Sequence, residues 1–164
     1  MELIVSRPSG ARIVQEYLTG DGSAADFYAR RFDDPAAFEA KAGEVDGRFD
    51  GEARARAASA ITVPKGADAG RLERFVDDGG YLVTTGQQPG LYGGPLYSLY
   101  KGMTAIRLAE ALEARLGKPV LPVFWVASDD HDWNEANHAD LIGVDNELRR
   151  YELPPAEEGR TPPL

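Results

Sequence analysis

The side chains with the most chemical potential in this 164-residue sequence lie in one acidic segment that holds both of its histidines. Residues 128–138, called the acidic tip below, read Ser-Asp-Asp-His-Asp-Trp-Asn-Glu-Ala-Asn-His. Carboxylates can hold a substrate amine, and an imidazole can move a proton near neutral pH. The first catalytic candidates are His131, Asp130 and Asp132. The further binding candidates are Asp129, Glu135 and His138.

The acidic tip has two other interpretations. If residues 130–138 were helical, His131, Glu135 and His138 would share one face and could ligate a divalent metal. The His-Glu-x-x-His order that makes a zinc assignment specific is absent, so a metal is disfavoured. Ser128 and Asp129 could also simply cap a helix, which is compatible with a functional role.

A second candidate segment is rich in glycine and ends where a helix is predicted to begin. Residues 86–94, called the glycine loop below, read Gly-Gln-Gln-Pro-Gly-Leu-Tyr-Gly-Gly and precede Pro95. Amides at a helix N-terminus attract phosphate or carboxylate, although a plain strand-to-helix turn is the competing interpretation. Neither the Walker pattern nor the dinucleotide fingerprint is present. The candidate binding residues are Gly86, Gln87, Gln88, Gly90, Gly93, Gly94, Tyr97 and Lys101.

Two predicted strands and one long helix would position these segments. Residues 81–85 have strand composition with a stop at Gly86, and a second strand follows Pro122, which cannot donate to a ladder. Between them a helix of about 22 residues is predicted from the apolar spacing. Its two apolar stripes are Leu96, Leu99, Met103 and Ile106, and Leu108, Leu112 and Leu116. This βαβ unit makes the strands parallel, so both segments should emerge at one edge of the sheet.

The remaining elements are predicted to be short. Residues 1–20 read as an extended lead-in, followed by helices over residues 23–32, from Pro35, over 48–60 and over 68–78. Further elements are expected near Leu141 and Tyr151. We therefore expect a helical region over residues 1–80 that packs on the core, the first part of an α/β domain over 81–153, and a linker-like tail over 154–164. Two clear strands make an incomplete sheet, which suggests part of a longer protein.

Composition excludes several classes of function. The net charge is −9 without a basic block, which argues against a nucleic-acid partner. The sequence has no cysteine, so disulfides and thiolate sites are excluded. The longest apolar run, residues 120–127, is too short to cross a bilayer, and no secretory signal pattern is present. We expect a cytoplasmic protein without a membrane partner.

The two segments together resemble a known family. The pattern Thr-Gly-Gln-Gln-Pro-Gly-Leu over residues 85–91, then Gly-Pro-Leu-Tyr over 94–97, Tyr100-Lys101, and Pro-Val-Phe-Trp-Val-Ala-Ser-Asp-Asp-His-Asp over 122–132 is similar to the N-terminal part of the bacillithiol biosynthesis cysteine-adding enzymes. The match is dense from about residue 83 to residue 138. Members of that family are much longer than this chain.

The resemblance implies a Rossmann-like α/β fold and a ligase activity that adds cysteine to the amine of glucosaminyl-malate, forming the low-molecular-weight thiol bacillithiol. Cysteine and glucosaminyl-malate would be the small-molecule partners, and a homo-oligomer is compatible with the sequence. A cofactor is not identified, although a nucleotide is a candidate. Two alternatives stay open: a nucleotidyl transferase-like enzyme that activates a carboxylate with ATP, and a non-catalytic small-molecule-binding fragment.

Overall fold

The computed structural model describes residues 10–128 and 132–154. Two compact units divide the chain between Gly47 and Arg48. The first unit contains α1 (Arg12–Thr19), a 3-10 helix (Ser23–Phe27) and α2 (Pro35–Arg48). Only the last residue of α2, Arg48, is counted in the second unit. The second unit contains everything that follows. None of the helices in the described ranges is long and apolar enough to cross a membrane.

The first unit begins with a helix where the sequence suggested extended chain. The prediction is wrong for residues 12–19, which form α1, while residues 1–9 lie outside the described part. Ile13, Val14 and Tyr17 recur with helical spacing, a signal that the short apolar pairs obscured. The ring of Tyr17 lies 4.4 Å from that of Tyr28, and Gly20 ends α1 at a φ of 77°.

The helix predicted from Pro35 begins there, the helix predicted over residues 48–60 begins only at Gly51, and the helix predicted over residues 23–32 is shortened. Asp34 accepts a hydrogen bond of 2.9 Å from the Ala36 amide at the start of α2. The helix predicted over residues 23–32 is only the 3-10 helix that ends at Phe27. In the second unit, Asp50 caps α3 (Gly51–Ser59) by accepting from the Ala53 amide at 2.8 Å.

The helix α4 (Gly70–Asp77) packs against α3 and against the sheet. Buried Arg54 of α3 donates to the Gly80 carbonyl at 2.9 Å, which fixes the chain just before the first strand. Arg71 of α4 donates to the Glu113 carboxylate at 2.9 Å, and the same carboxylate accepts from the Val120 amide at 3.0 Å. These bonds join α4, the end of the long helix and the start of the second strand.

The central unit is β1 (Tyr81–Gln87), α5 (Leu96–Leu116) and β2 (Val120–Val126). The strands are parallel, with Tyr81 opposite Val120 and Gln87 opposite Val126, and α5 packs against both. The predicted βαβ unit is therefore confirmed. The chain has an α/β, Rossmann-like fold, of which this unit is the clearest part.

Both strands are longer than the sequence suggested. β2 already begins at Val120, and Pro122 lies inside it opposite Val83, so the expected start at residue 123 is wrong. Gly86 does not stop β1, because the strand continues to Gln87. A Cβ on Gly86 would lie 2.7 Å from the Trp125 carbonyl oxygen, so glycine here permits close strand approach.

The face that α5 turns to the sheet is made of small residues. Ser98, Ala105 and Ala109 are buried, whereas Leu99 and Met103 of the first predicted stripe are exposed. Small side chains let the helix lie close to the strands, which accounts for this choice of face. A large apolar surface of α5 therefore stays uncovered in this chain.

A hairpin follows the sheet. A single helical turn, α6 (Trp133–Ala136), leads into β3 (His138–Ile142), which pairs antiparallel with β4 (Leu148–Glu152). These strands form a separate two-stranded sheet and account for the elements predicted near Leu141 and Tyr151. The Arg150 guanidinium binds both carboxylate oxygens of Asp140 at 2.8 and 2.9 Å.

Candidate functional site

The candidate site begins at the edge where β1 and β2 both end. Gln87 and Val126 are opposite each other, and the Ala127 amide donates to the Gln87 carbonyl at 3.2 Å, which continues the pairing one step further. The glycine loop and the beginning of the acidic tip therefore leave the sheet at the same edge, as predicted. Asp129, Asp130 and His131 lie outside the described residues.

The glycine loop is folded tightly. Leu91–Gly93 form one 3-10 turn, in which the Gly93 amide donates to the Gly90 carbonyl at 3.0 Å. Tyr92 has a φ of 54°, in the left-handed region that a non-glycine residue rarely adopts, and Gly94 has a φ of 77°. A Cβ on Gly90 would lie only 2.8 Å from the Gly94 Cα, so the two ends of the turn almost touch.

Gln87 binds the loop to the first turns of α5. Its Nε2 donates to the Tyr97 hydroxyl at 3.1 Å, and its Oε1 accepts from the Lys101 ammonium at 3.1 Å. The Lys101 nitrogen also lies 5.9 Å from the centre of the Tyr97 ring. Three of the predicted binding residues thus form one cluster, with the positive charge of Lys101 at the edge of the sheet.

Gln88 reaches in a different direction, to the second segment. Its Nε2 donates to the Glu135 carboxylate at 2.8 Å, and its Oε1 accepts from the Asp132 amide at 3.3 Å. The Asp132 side chain in turn caps α6 by accepting from the Asn134 amide at 2.8 Å. One carboxamide therefore joins the glycine loop to the described part of the acidic tip, as a shared crevice requires.

The acidic tip does not continue as the helix that a metal-binding face would need. α6 ends at Ala136, and His138 is the first residue of β3, where its Nδ1 lies 3.0 Å from the Asn137 side-chain oxygen. Glu135 and His138 consequently do not share a helical face. Over residues 10–128 and 132–154, no group of three or more potential ligands is placed to hold a metal ion.

Sequence inspection missed one polar residue at this edge. Ser98 lies in the first turn of α5 with only 5% of its surface exposed, and its hydroxyl has no hydrogen-bond partner within the described chain. The apolar pattern of the helix does not indicate that this serine is buried. Its position four residues after Gly94, on the face shared with Ala105, was the available signal.

The arrangement places an ammonium, two carboxylates and a helix N-terminus around one sheet edge. Lys101 and the first turn of α5 suit an anionic group, whereas the exposed Asp132 and Glu135 suit an amine. A small molecule that carries both kinds of group would match this distribution of charge.

Comparison with known proteins gives a consistent result. Residues 1–162 match the family described as bacillithiol biosynthesis BshC, N-terminal Rossmann-like domain. The chain is 40% identical over 158 residues to a protein of Symbiobacterium thermophilum, an alignment that covers 92% of the chain and 28% of that protein. It is 34% identical over 146 residues to a protein of Solibacter usitatus, covering 89% and 27%.

A shorter but closer match is found in Heliobacterium modesticaldum, with 51% identity over 74 residues, or 45% of the chain and 14% of the relative. Each of the three relatives carries the name "Putative cysteine ligase BshC". The chain thus spans less than a third of the length of these relatives. Because the family match covers almost the entire sequence, this chain belongs to the BshC family of bacillithiol biosynthesis and corresponds to its N-terminal Rossmann-like domain.

Proposed function

We propose that this chain is the N-terminal part of a ligase that joins the carboxyl group of cysteine to the amine of glucosaminyl-malate. The observation that carries the proposal is the Gln88 bridge, which holds the glycine loop against Asp132 and Glu135 at the edge where β1 and β2 end. Sites for small molecules in open α/β sheets occur at this edge. Family membership and the names of the relatives supply the reaction type.

The proposed reaction forms one carbon–nitrogen bond. The amine nitrogen attacks the carboxyl carbon of cysteine and loses a proton, and one carboxyl oxygen departs together with the group that activates it. A carboxyl group needs activation for this step, and the identity of the activating group is part of the test below. Proton removal from the attacking amine is the contribution expected of a histidine near neutral pH.

We assign roles to the chain's own residues on that basis. His131 accepts the proton, and Asp130 and Asp132 hold the amine before attack. Asp129, Glu135 and His138 contribute further polar groups for substrate binding, and Gly86, Gly90, Gly93 and Gly94 shape the anion-binding turn. The glutamines act by placing neighbouring groups: Gln87 orients Tyr97 and Lys101, and Gln88 orients Asp132 and Glu135.

Product formation from cysteine and glucosaminyl-malate by a full-length protein that contains this domain, measured by mass spectrometry with and without ATP, tests the proposal. His131→Ala should lower the rate by about 100-fold or more, since removal of a general base typically costs that much. Asp77→Asn is the control substitution of an ionisable residue outside the site. This exposed carboxylate ends α4 just before β1 begins, so it lies at the end of the strand opposite to the candidate site. Full activity of the His131 variant would refute its role.

Two alternatives are separated by the same assay. Substrate-dependent release of AMP or ADP would identify a nucleotidyl transferase-like activation of the carboxylate. The other alternative is a non-catalytic fragment that binds a small molecule. Binding of glucosaminyl-malate by the chain without turnover would support that reading.

A further inference from the structure

The first turn of α5 offers backbone donors without a side-chain cap. The N-cap position is Pro95, which has no side-chain oxygen, and no side chain caps this 21-residue helix. The Ser98 amide donates to the Pro95 carbonyl at 2.8 Å, which leaves the amides of Leu96 and Tyr97 as the outermost donors. Every long helix has such donors, so this feature alone does not define a site.

Ser98 supplies the independent observation. Only 5% of the Ser98 residue surface is exposed and its hydroxyl oxygen is buried, yet no donor or acceptor in the described residues meets that hydroxyl. A buried helical serine usually bonds back to a carbonyl of the preceding turn, and this one does not. Burying a hydroxyl without a hydrogen-bond partner is unfavourable. The presence of a serine at this position therefore requires an explanation.

The hydroxyl faces the glycine loop. The Ser98 oxygen lies 3.5 Å from the position that a Cβ on Gly94 would occupy, and Gly94 itself is almost in contact with Gly90. Gly94, which has no side chain, is therefore one of the residues that cover the hydroxyl, and Gly90 lies directly behind it. Glycine backbones can change conformation at low cost, so a small movement of this turn exposes the hydroxyl together with the amides of α5.

We propose that Ser98 is a hydrogen-bond donor in an oxyanion subsite at the N-terminus of α5, which takes a carboxylate or phosphoryl oxygen of a small molecule. The backbone amides and the helix dipole attract the anion, and the serine hydroxyl donates to one of its oxygens. Lys101, one turn further along and held by Gln87, adds a positive charge. This inference rests on the proposed function, since the malyl carboxylates of glucosaminyl-malate are the expected ligand.

The test combines binding with stability in the Ser98→Ala variant. Binding of L-malate and, in a separate arm, inorganic phosphate is measured by calorimetry at low salt, and the melting temperature is measured without ligand. We expect at least one anion to bind the unmodified chain and to bind the variant about tenfold more weakly. The free variant should melt about 2–6 °C higher, because alanine removes a buried hydroxyl that lacks a partner.

Ser59→Ala is the matched control. The Ser59 hydroxyl at the end of α3 donates to the Arg56 carbonyl at 2.7 Å, so this variant loses a satisfied bond and should melt at an equal or lower temperature with unchanged anion affinity. Preference for malate identifies a carboxylate subsite, and preference for phosphate a phosphoryl subsite; both support the proposal.

Three outcomes would overturn it: no binding of either anion, equal affinity of the Ser98 variant, or a lower melting temperature of that variant. Because binding is measured without turnover, an absence of cysteine ligation would refute the proposed function while leaving this subsite intact.

Discussion

Gln87 and Gln88 are adjacent in sequence, but their side chains support the site in different ways. Gln87 binds Tyr97 and Lys101, which follow it by 10 and 14 residues on the helix that the same loop begins. Gln88 binds Asp132 and Glu135, which follow it by 44 and 47 residues beyond the second strand. One glutamine completes a local turn, and the other closes a long-range contact.

This difference separates two kinds of structural support. The Gln87 cluster is attached to β1 and to 21 residues of α5, so its geometry is backed by a regular packed unit. The Gln88 contact ends on α6, which is only four residues long. Short helices contribute little stability of their own, so the acidic tip depends more on individual side-chain bonds than the glycine loop does.

The largest expected effect comes from Gly86, in the strand that ends at Gln87 and leads directly into Gln88. Gly86→Ala should lower the free energy of unfolding by about 2–3 kcal/mol, because its Cβ would lie 2.7 Å from the Trp125 carbonyl oxygen and 2.9 Å from the Trp125 Cβ. If β1 and β2 were pushed apart at this point, the glycine loop and the acidic tip would both be displaced, because each follows one of these strands. Urea unfolding followed by circular dichroism measures the loss.

Gly102→Ala is the control for that substitution. A Cβ at Gly102, inside α5, would make ordinary contacts of 3.7 and 3.9 Å with the Phe124 ring. This variant should gain about 0.5–1 kcal/mol, since alanine is the better helix former. Equal effects of the two variants would show that close strand approach is not the reason for glycine at position 86.

The glutamine pair itself is tested by the same change at both positions. Gln88→Glu replaces the donor that faces Glu135 with a carboxylate, and should cost about 1 kcal/mol through the lost bond and like-charge repulsion. Gln87→Glu faces Lys101 and the Tyr97 hydroxyl, which can both donate, and should be neutral or stabilising by about 0.5 kcal/mol.

The stability difference between the two glutamate variants should depend on salt concentration and on pH. Because both positions are partly exposed, the difference between the two variants should shrink in about 1 M salt, where the Debye length is about 3 Å. It should also shrink near pH 4, where protonation of the introduced glutamate side chain relieves the repulsion at position 88. Equal destabilisation by both substitutions would contradict the assignment of distinct partners.

Local patterns were sufficient to predict the framework of the fold. The spacing of apolar residues between Pro95 and Gly117 predicted α5, and the runs on either side predicted two parallel strands. The same patterns failed at residues 12–19, where a short helix resembled extended chain, and at Pro122, which a two-stranded sheet tolerates inside β2. A proline is tolerated in a strand when its missing amide would lie on an unpaired edge. Residue propensities alone do not show which edge of a strand is unpaired.

The site was only partly accessible from sequence. Residue types and positions identified Gln87, Gln88 and Glu135 as candidates. They did not show which of these side chains are hydrogen-bonded, because a contact across 47 residues depends on the fold. The stripe containing Leu99 and Met103 was expected to pack, yet the buried face of α5 carries Ser98 and alanines. Small residues on a close-packed face have no hydrophobic signature, so only the position of Ser98 shortly after the glycine loop pointed to it.

The smallest expected effect concerns the hairpin that follows the acidic tip. The Arg150 guanidinium, hydrogen-bonded to Asp140, lowers the pKa of that carboxyl below its usual value. A depressed folded pKa means that the ion pair stabilises the hairpin above the unfolded pKa of about 3.9 and loses this contribution as pH falls through the lower folded value.

Asp140→Asn should therefore lower the melting temperature slightly at neutral pH, and the difference from the unmodified chain should vanish as the pH falls below the lowered folded pKa of Asp140. Melting curves between pH 2 and 7 provide the measurement, with Asp77→Asn as the exposed control. A difference that stays constant with pH would show that the asparagine acts through packing instead of charge. The hairpin would then resemble the Gln87 cluster, which contains no carboxylate and whose stability should not change over this acidic range.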